Sequence, residues 1–168
     1  HLPTRRQRQM CIRDSAYVGE SMSHPIKYFK NNVANTIYLI NSLIQVSEER
    51  KKLNLNHKIP IVFSSTCATY GIPDDLPILE TTKQNPINPY GESKLIIEKM
   101  LIKYSEVYDL SSIIFRYFNA AGADPNGDLG ENHNPETHLI PLAFDAATKK
   151  IPYLKTVSYT HLTLPTSR

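Results

Sequence analysis

A buried β-strand is predicted where an apolar, β-branched run at residues 59–63 leads directly into three hydroxyl side chains, Ser64-Ser65-Thr66. A helical pattern follows, with Asn88 placed as its cap and Pro89 at its first position. A second apolar run at 112–118 predicts another strand. Strand, helix and strand in this order form a right-handed βαβ unit of a parallel sheet, so an α/β fold is predicted.

The two predicted strands would end at the same edge of the sheet, which brings Thr66 and Asn119 side by side. Tyr90 and Lys94 begin the connecting helix and would lie near that edge as well. Ligands of open parallel sheets bind at this edge. We therefore expect the functional site there.

Tyr90 and Lys94 are four residues apart, which puts both side chains on one face of the helix. An ammonium beside a phenol favours the ionised phenol, which then acts as a base. An unperturbed tyrosine has a pKa of about 10. To act as a base at neutral pH its pKa must fall by about 3 units, which corresponds to about 4 kcal/mol of stabilisation of the phenolate. An oxidised nicotinamide ring would add a second positive charge, and Thr66 offers a hydroxyl. These groups suit alcohol oxidation by hydride transfer, although the Tyr-x-x-x-Lys spacing alone also recurs on ordinary helix faces.

The segment before this unit is predicted to hold a loop at 17–21 and then an amphipathic helix with a break at Asn31-Asn32, where an Asn could cap a second helix. Apolar residues recur three or four positions apart along it and are expected to pack in the core: Ile26, Phe29, Val33, Ile37, Ile40 and Ile44. The helix that starts at Pro89 should bury another set: Ile97, Met100, Leu101, Tyr104 and Tyr108. A last helix is predicted from Leu139 to about 150.

The net charge of +3 does not predict a nucleic-acid partner, because the basic excess lies at the two ends of the chain. Residues 16–156 hold 14 basic and 15 acidic residues and so carry −1. The segments 1–15 and 157–168 have similar amino-acid sequences and resemble translated adapter DNA. We treat them as non-native ends, with a genuine basic arm as the alternative.

Membrane, disulfide and metal sites are not predicted. No run approaches the about 20 apolar residues of a membrane span. Cys67 has no partner within 16–156, so a disulfide framework is excluded there and a cytoplasmic location is expected. The loop at 124–128 lacks the Gly position of a calcium loop, and His133 with His138 has no further ligand set.

Three longer motifs carry a resemblance to a known family. They are Phe63-Ser64-Ser65-Thr66-Cys67-Ala68-Thr69-Tyr70-Gly71, Asn85-Pro86-Ile87-Asn88-Pro89-Tyr90-Gly91-Glu92-Ser93-Lys94 and Phe115-Arg116-Tyr117-Phe118-Asn119. In this order, and over about 16–155, the chain resembles the extended short-chain dehydrogenase/reductase family. The resemblance implies that 16–156 is a partial NAD-binding epimerase domain, the second half of a Rossmann-like, doubly wound parallel sheet that is truncated at both ends.

The cofactor-binding first half of such a fold is missing from this sequence. Neither the Gly-rich turn nor the acidic residue that binds the ribose occurs among its six glycines and their surroundings. We therefore expect the chain to be an interior fragment of a longer enzyme and to bind NAD poorly alone.

The resemblance also implies a reaction, the interconversion of UDP-glucose and UDP-galactose with NAD. C4 of the sugar is oxidised, the 4-keto intermediate rotates, and the hydride returns to the opposite face. Tyr90 would be the base, Lys94 would lower the pKa of Tyr90 and hold the cofactor ribose, and Thr66 would hydrogen-bond the 4-oxygen.

Further residues and partners follow from the same resemblance. The cofactor would contact Asn31, Tyr90, Lys94 and Phe118, and the substrate would contact Thr66, Tyr90, Asn119, His138 and Leu139. A role of Asn31 as a helix cap alone is the competing interpretation. The implied partner is a UDP-sugar, with no nucleic acid or membrane, and the full-length protein is expected to be a homodimer.

Two alternatives to this reaction stay open. Sugar specificity lies largely beyond Lys155, so a 4-epimerase of UDP-pentoses or UDP-uronates is one of them, and a catalytically silent fragment is the other. Dehydration is disfavoured, because the dehydratases of the family carry an Asp-Glu pair where this chain has Cys67-Ala68.

Overall fold

The computed structural model describes residues 16–119, 122, 124–130, 136 and 138–154. These residues fall into two compact units, one that ends at Arg116 and one that begins at Tyr117. The helices and strands follow in chain order: α1 (Val18–Ser23), α2 (Pro25–Tyr28), a π-helical turn (Phe29–Ala34), α3 (Asn35–Lys52), β1 (Ile61–Thr66), a 3₁₀ turn (Cys67–Thr69), α4 (Pro89–Tyr108), β2 (Ser112–Tyr117) and α5 (Leu139–Ala147).

The two strands pair directly in a small parallel sheet, and α4 connects them. The predicted βαβ unit is therefore confirmed. Both strands lie within two residues of the predicted positions, because short β-branched runs between loop residues favour strands strongly.

Helix α4 begins as the sequence predicts. The Oδ1 atom of Asn88 accepts the N–H of Gly91 at 2.8 Å, and Pro89 occupies the first helical position, where no N–H is needed. The helix ends at Tyr108, and the next residue, Asp109, adopts the left-handed conformation with φ 52°. Tyr90 and Lys94 thus lie in the first two turns of this helix.

The hydrophobic core lies between α3, α4 and the sheet. Its buried centre consists of Ile40, Ile97, Leu101 and Leu110, and partly buried residues pack around it: Val33, Ile44, Ile61, Phe63, Met100, Tyr104 and Ile114. Each fully buried aliphatic side chain contributes about 1.5–3 kcal/mol. The prediction that Tyr108 is buried was wrong, because its side chain lies in the last turn of α4 and is 49% exposed.

The opposite face of the sheet is uncovered in the described residues. Alternate strand residues point to it, and Val62, Ile113 and Phe115 are 63%, 55% and 46% exposed. Their neighbours Ile61 and Ile114 point the other way and pack on the core. One face of the two strands is therefore packed and the other is apolar but open.

The segment before β1 differs from the predictions in two places. Residues 17–21 were expected to form a loop, but helix α1 begins at Val18, and Ser21 donates its hydroxyl to the carbonyl of Val18 at 2.7 Å. The break expected at Asn31-Asn32 is present as a π-helical turn, not as a cap, because the residue that precedes α3 is Ala34. Ile26 and Phe29 at the start of the predicted apolar stripe are exposed, so the stripe packs only from Val33 onward.

Candidate active site

Lys94 is the best-defined member of the predicted site. Its side chain is only 2% exposed, although an ammonium is costly to bury without partners. The Nζ atom donates to the carbonyl of Ser64 at 3.0 Å and lies 5.1 Å from the ring centroid of Phe63. It also lies 5.9 Å from the ring centroid of Tyr90. The end of β1 and the start of α4 thus hold this cation beside the phenol.

The ring of Tyr90 is supported by a second tyrosine. Its centroid lies 6.2 Å from that of Tyr28, edge to face at 75°. Tyr28 is fully buried, and its hydroxyl lies 2.8 Å from Oε2 of Glu20 and 2.7 Å from the carbonyl of Tyr17. Burial and the neighbouring Glu20 carboxylate raise the pKa of Tyr28, so this phenol stays protonated at neutral pH. Tyr90, in contrast, has the ammonium of Lys94 5.9 Å from its ring centroid.

Thr66 ends β1 and caps the 3₁₀ turn that follows. Its Oγ1 accepts the N–H of Ala68 at 3.1 Å, and its carbonyl accepts the hydroxyl of Thr69 at 2.9 Å. The residue is buried, and the bond from Ala68 holds the orientation of its hydroxyl. The hydroxyl also hydrogen-bonds the Cys67 thiol, so its O–H must turn away from that sulfur to donate to a ligand oxygen.

Gly91 joins the start of α4 to this turn. A Cβ at Gly91 would lie 2.5 Å from the carbonyl oxygen of Ala68 and 2.9 Å from its carbon. The first turn of the helix therefore approaches the backbone after Thr66 more closely than any other residue type allows. This role of Gly91 was not predicted from the sequence. A signal for it was present, because glycine is unfavourable inside a helix and Gly91 directly follows Tyr90.

Asn32 links the π-helical turn to the same helix. Its Nδ2 donates to Oγ of Ser93 at 3.1 Å, and Ser93 donates its hydroxyl to the carbonyl of Tyr90 at 2.7 Å. Both side chains are buried. Asn31 precedes Asn32 in this turn and is half-buried, and π-helical turns frequently occur at functional sites. The cap interpretation of Asn31 is wrong, and its contact with a cofactor stays a prediction.

The remaining predicted residues belong to the second unit. Phe118 and Asn119 follow β2 and are exposed. His138 precedes α5, and both its N–H and its Nδ1 lie within 2.9 Å of Oε1 of Glu136. Leu139 is the first residue of that helix. The grouping of these four residues with Tyr90, Lys94 and Thr66 stays a prediction.

Cys67 begins the 3₁₀ turn directly after Thr66. Burial raises the pKa of the Cys67 thiol, so it is a weak proton donor or acceptor at neutral pH. The described residues contain no cluster of three or more metal-ligating side chains. In the same part of the chain no helix has the length and apolar character needed to cross a membrane.

Residues 11–160 match the model of a family described as the NAD dependent epimerase/dehydratase family. Among curated proteins, a UDP-glucose 4-epimerase of Streptococcus mutans is 49% identical over 130 residues, which cover 77% of this chain and 36% of that enzyme. A probable UDP-arabinose 4-epimerase of Arabidopsis thaliana is 42% identical over 145 residues, which cover 83% of this chain and 33% of the relative. The chain thus spans about a third of the length of these two relatives.

A solved structure agrees with this match. The UDP-glucose 4-epimerase from Brucella ovis in complex with NAD superposes with a TM-score of 0.73 at 49% identity, over 84% of this chain and 40% of that one.

Proposed function

The chain belongs to the NAD dependent epimerase/dehydratase family and has its Rossmann-like fold, and we propose that its parent protein is a UDP-sugar 4-epimerase that interconverts UDP-glucose and UDP-galactose. The observation that carries the proposal is the buried ammonium of Lys94, held by the Ser64 carbonyl within 5.9 Å of the Tyr90 ring centre. Relatives with this activity are 46–49% identical to the chain.

The donor set fits the nicotinamide half of NAD. A buried ammonium at the end of a strand suits ribose hydroxyls, and the amide of Asn31 lies on the turn that packs against the same helix. Lys94, Asn31 and Phe118 would hold the cofactor. Bound NAD would supply the acceptor and donor for the hydride at C4 of the sugar.

The residues of this chain would move and hold the proton. Tyr90 takes the proton of the 4-hydroxyl, because the positive charge of Lys94 favours the phenolate. Thr66 would donate its O–H to the 4-oxygen and orient it. After the 4-keto sugar has rotated to present its opposite face, Tyr90 returns the proton, and the configuration at C4 is inverted. Asn119, His138 and Leu139 would bind the rest of the substrate.

Epimerisation is favoured over dehydration at the position after Thr66. Elimination of water needs an acid and a base next to the sugar, and here a protonated Cys67 and Ala68 follow Thr66. Neither side chain supplies that proton transfer at neutral pH.

The choice of sugar is tested on the parent enzyme. We expect turnover of UDP-galactose to UDP-glucose, and slower turnover of UDP-arabinose assayed separately under the same conditions. Activity on the pentose with none on the hexose would replace the proposal by the alternative that the Arabidopsis relative represents. Absence of both activities, with NAD retained by the protein, would favour a catalytically silent parent. Assay of the 168-residue chain beside it shows whether the fragment alone is silent, as we expect.

Homodimerisation of the full-length protein is part of the proposal. Large apolar side chains are exposed on α3 and α4, among them Tyr38, Leu39 and Ile102, and a second copy would cover such residues. Light scattering of the parent should give twice the subunit mass; a monomer would contradict this. A cytoplasmic location stays a prediction.

A further inference from the structure

Glu98 carries a buried carboxylate for which the proposed reaction has no use. It is 1% exposed and accepts five hydrogen bonds from three other segments. The hydroxyl of Ser65 and the Nε2 of Gln84 donate to it, the latter at 2.8 Å. The guanidinium of Arg116 donates through Nε at 3.0 Å and through a terminal nitrogen at 2.8 Å. These contacts join α4 to β1, to β2 and to the loop that precedes α4.

Arg116 is held as firmly as its partner. Its other terminal nitrogen donates to the hydroxyl of Tyr70 at 2.8 Å and to the carbonyl of Glu80 at 3.0 Å, and its guanidinium lies 5.2 Å from the Tyr70 ring centroid. The hydrogen bonds to Glu98 raise the pKa of Arg116, so the guanidinium stays charged. The pair is therefore geometrically fixed on both sides.

The position of the pair relates it to the site. Glu98 lies one helical turn after Lys94 and two turns after Tyr90, on the same face of α4. Lys94 holds the carbonyl of Ser64, and Glu98 holds the hydroxyl of Ser65. Two successive turns of the helix thus hydrogen-bond two successive strand residues, and the next strand residue is Thr66.

Stability alone does not explain such a pair. Replacement of a buried ion pair by apolar residues of similar volume is often neutral or stabilising by about 1–4 kcal/mol, because both charges must be desolvated. Directed, charge-assisted hydrogen bonds instead give the joint between helix and strand a single geometry. Resting on the proposed function, we propose that Glu98 and Arg116 are positioning residues, which hold the Thr66 hydroxyl at its working distance from Tyr90.

The parent enzyme tests this with two variants. Glu98→Met/Arg116→Met removes both charges at once and should fold, whereas Ser65→Ala removes only the hydroxyl that Glu98 holds. Because misplacement of about 1 Å costs up to about 100-fold in rate, we expect kcat to fall about 10- to 100-fold in the double variant and about fivefold in Ser65→Ala. The KM for the UDP-sugar should stay within twofold. The isotope effect of sugar deuterated at C4 should rise, because oxidation at C4 becomes slower relative to binding.

Lys103→Met/Glu106→Met is the matched control, because it removes an exposed ion pair of 2.9 Å from the same helix. Its kcat and isotope effect should equal those of the unmodified parent. A folded Glu98→Met/Arg116→Met variant with unchanged kcat would overturn the proposal. If that variant does not fold, Ser65→Ala decides, and an unchanged kcat there is equally fatal. Inactivity of the unmodified parent on UDP-hexoses would instead refute the proposed function.

Discussion

The ammonium nitrogen of Lys94 lies 5.9 Å from the centre of the Tyr90 ring, one turn further along the same helix. The ammonium is tied to the Ser64 carbonyl, and the carbonyl of Tyr90 accepts the hydroxyl of Ser93. The phenol and its cation are therefore carried by one rigid element.

Tyr90→Phe in the parent enzyme should lower kcat by about 10²–10⁴-fold, because a positioned general base is removed. The ring remains, so packing against Tyr28 and binding of UDP should be retained, as calorimetry would show. Tyr104→Phe on the same helix is the control and should leave turnover unchanged. Substantial turnover by Tyr90→Phe would remove Tyr90 as the base.

Lys94→Met should lower kcat and move the rising limb of kcat against pH to higher pH. The sign follows from the charge: without a nearby cation the phenolate of Tyr90 is less favoured, so more alkaline solution is needed to form it. A pH series of initial rates measures the shift. Lys99→Met, an exposed lysine on the same helix, should reproduce the unmodified profile. An unshifted limb in Lys94→Met would show that this ammonium does not act on the phenol.

Gly91→Ala should lower the free energy of unfolding by about 1–3 kcal/mol, as expected for a methyl group forced against its neighbours. The added carbon would meet the backbone carbonyl of Ala68, which has little room to give. Gly19→Ala is the matched control, because its added carbon meets nothing within 4 Å and alanine favours a helix. Urea titrations of both variants measure the difference. Equal stability would mean that α4 and the 3₁₀ turn are not in close contact.

Cys67 should react slowly with iodoacetamide. The thiolate is the reactive form, and burial raises the pKa of this thiol, so a smaller fraction is ionised at pH 8 than in free cysteine. Mass spectrometry of the Cys67 peptide across pH 7–10 should show a rate that rises at higher pH than for free cysteine. Denatured protein should regain the ordinary rate. Fast labelling at neutral pH would undo the argument that this position cannot transfer a proton.

The sequence predicted the elements whose signals are local. Asn88 and Pro89 form a helix start by themselves, and the β-branched runs that became β1 and β2 need little context. The prediction of a loop at 17–21 was wrong, because α1 is short and contains glycine and so gives a weak helix pattern. The hydroxyl of the buried Tyr28 contacts Tyr17 and Glu20 and holds α1 in place. Those contacts join residues 8 and 11 positions apart and leave no periodic pattern.

The candidate site was predicted in part for the same reason. Tyr90, Lys94 and Thr66 were identified from motifs, and the structure shows how the first two are held. Glu98 was missed, because a glutamate in a helix ordinarily faces water and its partners come from two strands and a loop. Gly91 was missed since a close approach of two backbones is a property of the packed fold.

The exposed apolar face of β1 and β2 affects how this chain behaves during purification. Val62 and Ile113 are exposed on this face, where separate molecules can associate through apolar contacts. Produced alone, the 168 residues should collect in inclusion bodies and precipitate on concentration. A lysine in place of Val62 is the first change to make when a monodisperse sample is needed.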